Sequence, residues 1–75
     1  MATVPQPPDG TESFAIVFDR EEDGRWIAEV PDLPGVMAYG ATRKDAEVAV
    51  TALALRVIAD RIEQMRKPPK AIHFV

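Results

Sequence analysis

The chain has 75 residues, no cysteine, a single histidine and a formal net charge of −3. That length allows one domain, the missing cysteine excludes disulfides and thiolate zinc sites, and no apolar run is long enough to span a bilayer. A domain this small buries only roughly 60% of the surface its unfolded chain exposes, so with disulfides and metals set aside, oligomerisation is the stabilising device that remains.

Residues 1–12, with Pro5, Pro7, Pro8 and Gly10, read as a flexible N-terminal arm rather than a secretory leader, which makes a cytoplasmic protein with no membrane partner the expectation. Residues 13–75 read as the folded domain. From Ser13 to Phe18 the pattern is strand-like, and because Phe14, Ile16 and Phe18 alternate with Ala15 and Val17, the strand is expected to be central or covered on both faces. Asp23-Gly24 signals a hairpin turn, since glycine reaches positive φ without a steric cost. In the returning strand, Trp26, Ala28 and Val30 share one face, and Arg25, Ile27 and Glu29 the other. Pro31-Asp32-Leu33-Pro34-Gly35 cannot continue a ladder and is an ordered loop. Val36 to Ala41 forms a third strand, with Gly40 at a bulge or a tight entry to the next element.

Thr42-x-x-Asp45 approximates a capping box and opens the one helix, which runs to about Gln64 or Met65. Arg66 and Lys67 then lie beside its negative end, and Pro68-Pro69 stop it. At ~100° per residue, Ala46, Ala49, Val50, Leu53 and Val57 form one apolar stripe and Val48, Ala52, Leu55, Ala59 and Ile62 a second on the opposite side. A helix that only covers a sheet needs one stripe, so the second is expected to pack on another chain, as a homo-oligomer interface, or on the chain's own tail or arm. Ala71 to Val75 is β-prone and supplies a last strand. The elements add up to an α+β fold: a single β-β-β-α-β domain, an antiparallel sheet under one long helix.

The charge is unevenly spread. Residues 1–41 hold eight acids against Arg20 and Arg25, a net −6, and residues 42–75 hold four acids against seven bases, a net +3. An acidic half repels nucleic acid and suits a basic protein partner, which it attracts over long range.

The run Asp23-Gly24-Arg25-Trp26-Ile27-Ala28-Glu29-Val30-Pro31-Asp32-Leu33-Pro34-Gly35, with Gly40-Ala41-Thr42 and Asp45-Ala46 after it, resembles the HicB-like antitoxin family. The resemblance covers about residues 13–65, and its specific part is the Pro-Asp-Leu-Pro-Gly loop at the right distance from the Gly-x-Thr corner. Ala41 stands where that family usually carries an acid. The resemblance implies a partial RNase-H-like, or double-stranded-RNA-binding-domain-like, fold. It also implies the toxin-neutralising N-terminal domain of such an antitoxin, which covers the active site of a small, basic, RNA-cleaving toxin of HicA type. Family members usually add a C-terminal DNA-binding domain, which is expected to be absent here.

Asp19, Glu21, Glu22 and Asp23 fall within five positions near a hairpin tip. Two-metal nucleases need acids that converge from different elements, so these four are expected to point into water. His73 has no second histidine, cysteine or nucleophilic partner pattern around it and reads as a packing or edge residue of the last strand. Arg66, Lys67 and Lys70 lack the interleaved aromatics of a nucleic-acid site. The chain is therefore expected to have no catalytic activity, no cofactor and no metal. Asp19, Glu21, Glu22, Asp23, Trp26 and Glu29 are the candidate partner-binding residues, with Asp32 and Leu33 from the loop. Two rival readings remain: a solitary homo-oligomeric domain of the same class without a toxin partner, and an RNase-H-like nuclease.

Overall fold

Local pattern accounts for most of the elements in the computed structural model, which describes residues 10–75. The arm expected over residues 1–12 lies outside the described residues as far as position 9. The order is β1 (Thr11–Phe14), β2 (Val17–Arg20), β3 (Trp26–Glu29), β4 (Met37–Gly40), α1 (Arg43–Met65) and β5 (Ala71–Phe74). The architecture is α+β, as expected, with one long helix packed over β4 and β3. Thr11 and Glu12, expected in the arm, belong to β1.

The single strand expected over Ser13–Phe18 is divided. Strand β1 pairs in parallel with β5, in the register Thr11↔Ala71 to Phe14↔Phe74. Strand β2 pairs antiparallel with β3 (Val17↔Glu29, Arg20↔Trp26), and β3 antiparallel with β4 (Trp26↔Gly40, Glu29↔Met37). The strand pairing is thus not wholly antiparallel. Across the joint, the Ile16 N–H donates to Val75 O at 2.8 Å and the Val75 N–H to Phe14 O at 2.9 Å. The chain exchanges its neighbour β5 for β3 without interrupting its side-chain alternation. Phe14 is buried, Ile16 and Phe18 half-buried, while Ala15 and Val17 are exposed. Of the two alternatives, cover on both faces fails for a plain reason: among the described residues no element packs on the outer side, and alanine and valine are tolerated there, whereas the stretch does take two strand neighbours, β5 along β1 and β3 along β2.

The hairpin between β2 and β3 closes through a three-residue loop. The Gly24 N–H donates to Glu21 O and the Glu21 N–H to Arg25 O, with Gly24 at φ 91°. After β3 the chain folds through two tight turns, Leu33 N–H to Val30 O and Val36 N–H to Leu33 O, both 3.0 Å, while the Val30 N–H reaches Val36 O. Those turns drive the Leu33 side chain into the core, where it is 1% exposed beside Val30 and Val36.

Helix α1 starts as read. Thr42 is extended, and its Oγ1 accepts the Asp45 N–H at 3.0 Å, satisfying one of the four amides a helix start leaves without partners. Thr42→Ala should cost about 1 kcal/mol, read as a lower urea midpoint with an unchanged slope; Thr42→Ser should recover most of it. At the other end Arg66 enters the left-handed region at φ 56° and its backbone N–H donates to Ile62 O. Arg66 thus closes the helix through its backbone. The helix buries Ala46, Val50, Ala54 and Ile58, one residue per turn, with Leu53, Val57 and Ile62 packed alongside. Ala54 and Ile58, which neither predicted stripe contains, complete the sheet-facing line.

Candidate protein-binding surface

Register decides what the outer side of the sheet presents. In β2, β3 and β4, residues 17 and 19, 27 and 29, and 37 and 39 fall on one face, because strand neighbours alternate and the pairs Val17↔Glu29↔Met37 and Asp19↔Ile27↔Tyr39 align across the three strands. Among the described residues that face carries no helix. Val17, Met37 and Tyr39 are exposed and Ile27 is half-buried. They form an apolar centre with Asp19 and Glu29 beside it, both exposed. Mixed apolar and acidic surfaces of this kind are what a partner with basic and apolar groups can cover.

The acids of the hairpin do not act as one patch. Asp23 accepts the Arg25 backbone N–H at 3.0 Å and the Arg25 Nε–H at 2.7 Å. These bonds, the backbone one first, hold its carboxyl below the ordinary 3.8 and fix it to its own turn. The Arg25 guanidinium in turn lies 4.5 Å from the centre of the Tyr39 ring, so a positive charge borders the outer face at the tip. Glu21 is half-buried and Glu22 exposed. Asp19 Oδ1 accepts the Arg20 backbone N–H at 2.7 Å, and among the described residues its second oxygen has no hydrogen-bond partner.

Of the predicted partner-binding residues, the structure brings Asp19 and Glu29 together on the outer face, with Glu22 and Asp23 at the hairpin tip. Trp26 points the other way. It shares the helix-side face with Phe18 and Ala28, is half-buried against the core, and has the Arg20 guanidinium 5.5 Å from its ring centre. Leu33 is removed from the candidate surface altogether, since a side chain sealed in the core touches no partner. Its neighbour Asp32 is exposed and lines an open groove of about 450 Å3 between β1 and the C-terminal half of α1. The residues that sequence reasoning missed are Val17, Met37 and Tyr39. The period-2 pattern is present in the sequence, but only the register between strands puts the three side by side.

Of the predicted oligomer residues, Val48, Leu55 and Ala59 are exposed and Ala52 half-buried, whereas Ile62 turns back against the core. His73 is exposed on β5. Among the described residues no group of three or more histidines and acids is placed to hold a metal ion, and no helix is long and apolar enough to cross a membrane.

No family model and no solved structure matches the chain. Among curated proteins it is similar to UPF0150 protein Ta0767 of Thermoplasma acidophilum, with 30% identity over 54 residues, 72% of this chain and 72% of that protein.

Proposed function

The chain belongs to the UPF0150 family, and from that premise we propose that it is a HicB-like antitoxin-type module, which neutralises a small basic RNA-cleaving toxin by protein–protein contact. The observation that carries this reading is the open outer face of the sheet, where Asp19 and Glu29 flank Val17, Met37 and Tyr39. A ribonuclease that grips a phosphate backbone presents a basic surface, and the acids of this face supply the complementary potential while the apolar centre supplies desolvated contact. The resemblance of the Pro-Asp-Leu-Pro-Gly loop and the Gly-x-Thr corner to HicB-like antitoxins supports it, as does the UPF0150 relative. In this reading the module acts by binding and performs no hydrolysis. In support, Asp23 is tied to Arg25 and Asp19 to the Arg20 amide within their own hairpin, an arrangement that fits a binding surface.

The test is co-expression with a neighbouring reading frame that encodes a basic protein of about 60–80 residues with a double-stranded-RNA-binding pattern. The wild-type chain should relieve the growth arrest that protein causes. The Asp19→Lys/Glu29→Lys double variant should slow association about tenfold or more at low salt, with a weaker salt dependence, because peripheral charges act mainly on the encounter rate. Equal association rates for the two proteins would remove the outer face from the interface.

A further inference from the structure

Strand β4 is the outer member of its sheet: β3 runs along one side of it, and among the described residues no strand runs along the other. Register decides which of its main-chain groups meet β3. The Val30 N–H donates to Val36 O, so these two residues form a hydrogen-bonded pair, and such pairs alternate with non-bonded ones along an antiparallel ladder. Ala28↔Ala38 and Trp26↔Gly40 are then bonded pairs, whereas Glu29↔Met37 and Ile27↔Tyr39 are not. The N–H and C=O groups of Met37 and Tyr39 therefore point away from β3, and among the described residues they have no hydrogen-bond partner. Open edges pair with extended chains, and proteins commonly shield them with charge, proline, a bulge or a covering element. Between Met37 and Gly40 there is no charged residue and no proline, and the ladder with β3 is continuous. Helix α1 packs on the inner face of β4, while Met37 (43%) and Tyr39 (46%) are exposed on the outer one.

We propose that the basic partner of the toxin reading is held by strand addition: an extended segment of it lies along β4 and takes the main-chain hydrogen bonds of Met37 and Tyr39, as a further strand of this sheet. The inference rests on that reading and adds how the partner is gripped. In strand addition the main chain supplies the hold and alternate side chains the selectivity. Every second residue of the added segment falls on the outer face, beside Met37 and Tyr39. Glu29, in register with Met37 on β3, is then roughly 10 Å from the added strand, a gap that a lysine or arginine and the glutamate can close between them. Tyr39 has the Arg25 guanidinium 4.5 Å from its ring centre, which repels a second cation. The segment that fits carries a basic residue beside Met37 and an apolar one two places along, beside Tyr39.

Size and position favour the partner over β4 of another copy of this chain. Two four-residue strands joined edge to edge touch along about 13 Å, one strand wide, against the roughly 800 Å2 that each side of a standard interface contributes. Two copies joined in this way also leave both outer faces open, with Val17, Met37 and Tyr39 in water. A partner that adds a strand at β4 and leans over the adjoining outer face covers the edge and the face together, and its basic groups meet Glu29 and Asp19 there.

Amide hydrogen exchange, read residue by residue by NMR, tests this on the full chain alone and in complex with the basic protein encoded by the neighbouring reading frame. Alone, the Met37 and Tyr39 amides should exchange freely and those of Ala38 and Gly40 slowly. In the complex, the Met37 and Tyr39 amides should slow by about a hundredfold or more. Tyr39→Pro and Tyr39→Ala supply the mutational arm. Both lose the ring, but only proline loses the outward N–H, and an edge strand tolerates proline when that N–H faces away from the ladder. Tyr39→Pro should therefore bind at least about tenfold more weakly than Tyr39→Ala, with the same far-ultraviolet circular dichroism. Should Tyr39→Pro unfold, the exchange rates of the unmodified chain decide. A complex in which the Met37 and Tyr39 amides still exchange freely overturns strand addition and leaves the toxin reading standing, whereas failure to form a complex removes both. Slow exchange of the two amides in the chain alone, with the mass of two chains, also overturns the proposal, because a second copy then holds the edge.

Discussion

Gly40→Ala should remove roughly 3 kcal/mol or more of stability, out of the 5–15 kcal/mol typical of a whole domain. Gly40 ends β4 two residues before the Thr42 cap, and the strand there passes against the first turn of α1. A Cβ on this residue would stand 2.3 Å from the Ala46 backbone N and 2.8 Å from the Asp45 carbonyl carbon. Both obstacles are backbone atoms of a hydrogen-bonded helix turn, so no side-chain rotation relieves the clash. Either β4 leaves its ladder with β3 or the helix tilts off Ala46 and Val50, which are fully buried. Urea denaturation measures the loss. Gly24→Asn is the control: Gly24 needs positive φ (91°) but has open space around its Cβ position. Asparagine tolerates that region, so the control should lose less than about 1 kcal/mol. Equal midpoints for Gly40→Ala and the wild type would mean that the strand and helix do not approach as closely as described.

Gly40 shows how far the sequence is legible and where it stops being so. Its place beside a capping threonine marks the corner, but a close approach is a relation between two elements, and a one-dimensional pattern does not hold it. The same limit explains the other differences. Thr42 and Asp45 announce the start of α1 because a cap is local, and Asp23-Gly24 announces the hairpin because φ at one residue decides it. By contrast, Ser13 to Phe18 reads as one strand, because the alternation of Phe14, Ile16 and Phe18 does continue through the joint. The exchange of neighbours from β5 to β3 changes hydrogen-bond partners and leaves the side-chain pattern untouched. The two helix stripes are legible in kind and misplaced in detail. The sheet-facing line is Ala46, Val50, Ala54 and Ile58, at every fourth residue, and an alanine on such a line carries too little hydrophobic weight to identify its face. The acidic hairpin reads as one patch because composition counts charges without their partners. The structure divides it: Asp23 is held by Arg25, while Asp19 and Glu29 join an apolar row that spans three strands.

Leu33→Ala should destabilise the domain by about 2–5 kcal/mol, which for a domain of this size lowers the melting temperature by roughly 4–8 °C per kcal/mol. Leu33 comes from a loop between two prolines, and loops of that composition lie on the surface as a rule. Here the turns at Val30 and Val36 point the side chain inward, and Leu33, Val30, Val36 and Val50 are the largest fully buried side chains among the described residues. With so few large residues at its centre, the core has little material to collapse into the cavity that alanine leaves, which places the expected loss in the upper part of the range. Asp32→Ala and Pro34→Ala, on the exposed positions to either side, should change stability by no more than about 0.5 kcal/mol. The contrast separates two roles for the loop. If Leu33 plugs the core, Leu33→Ala moves the denaturation midpoint and Asp32→Ala does not. If the whole loop were a recognition element, all three variants would melt like the wild type and lose only partner binding. A Leu33→Ala protein with a wild-type midpoint would therefore return Leu33 to the binding surface and take the anchor out of this core.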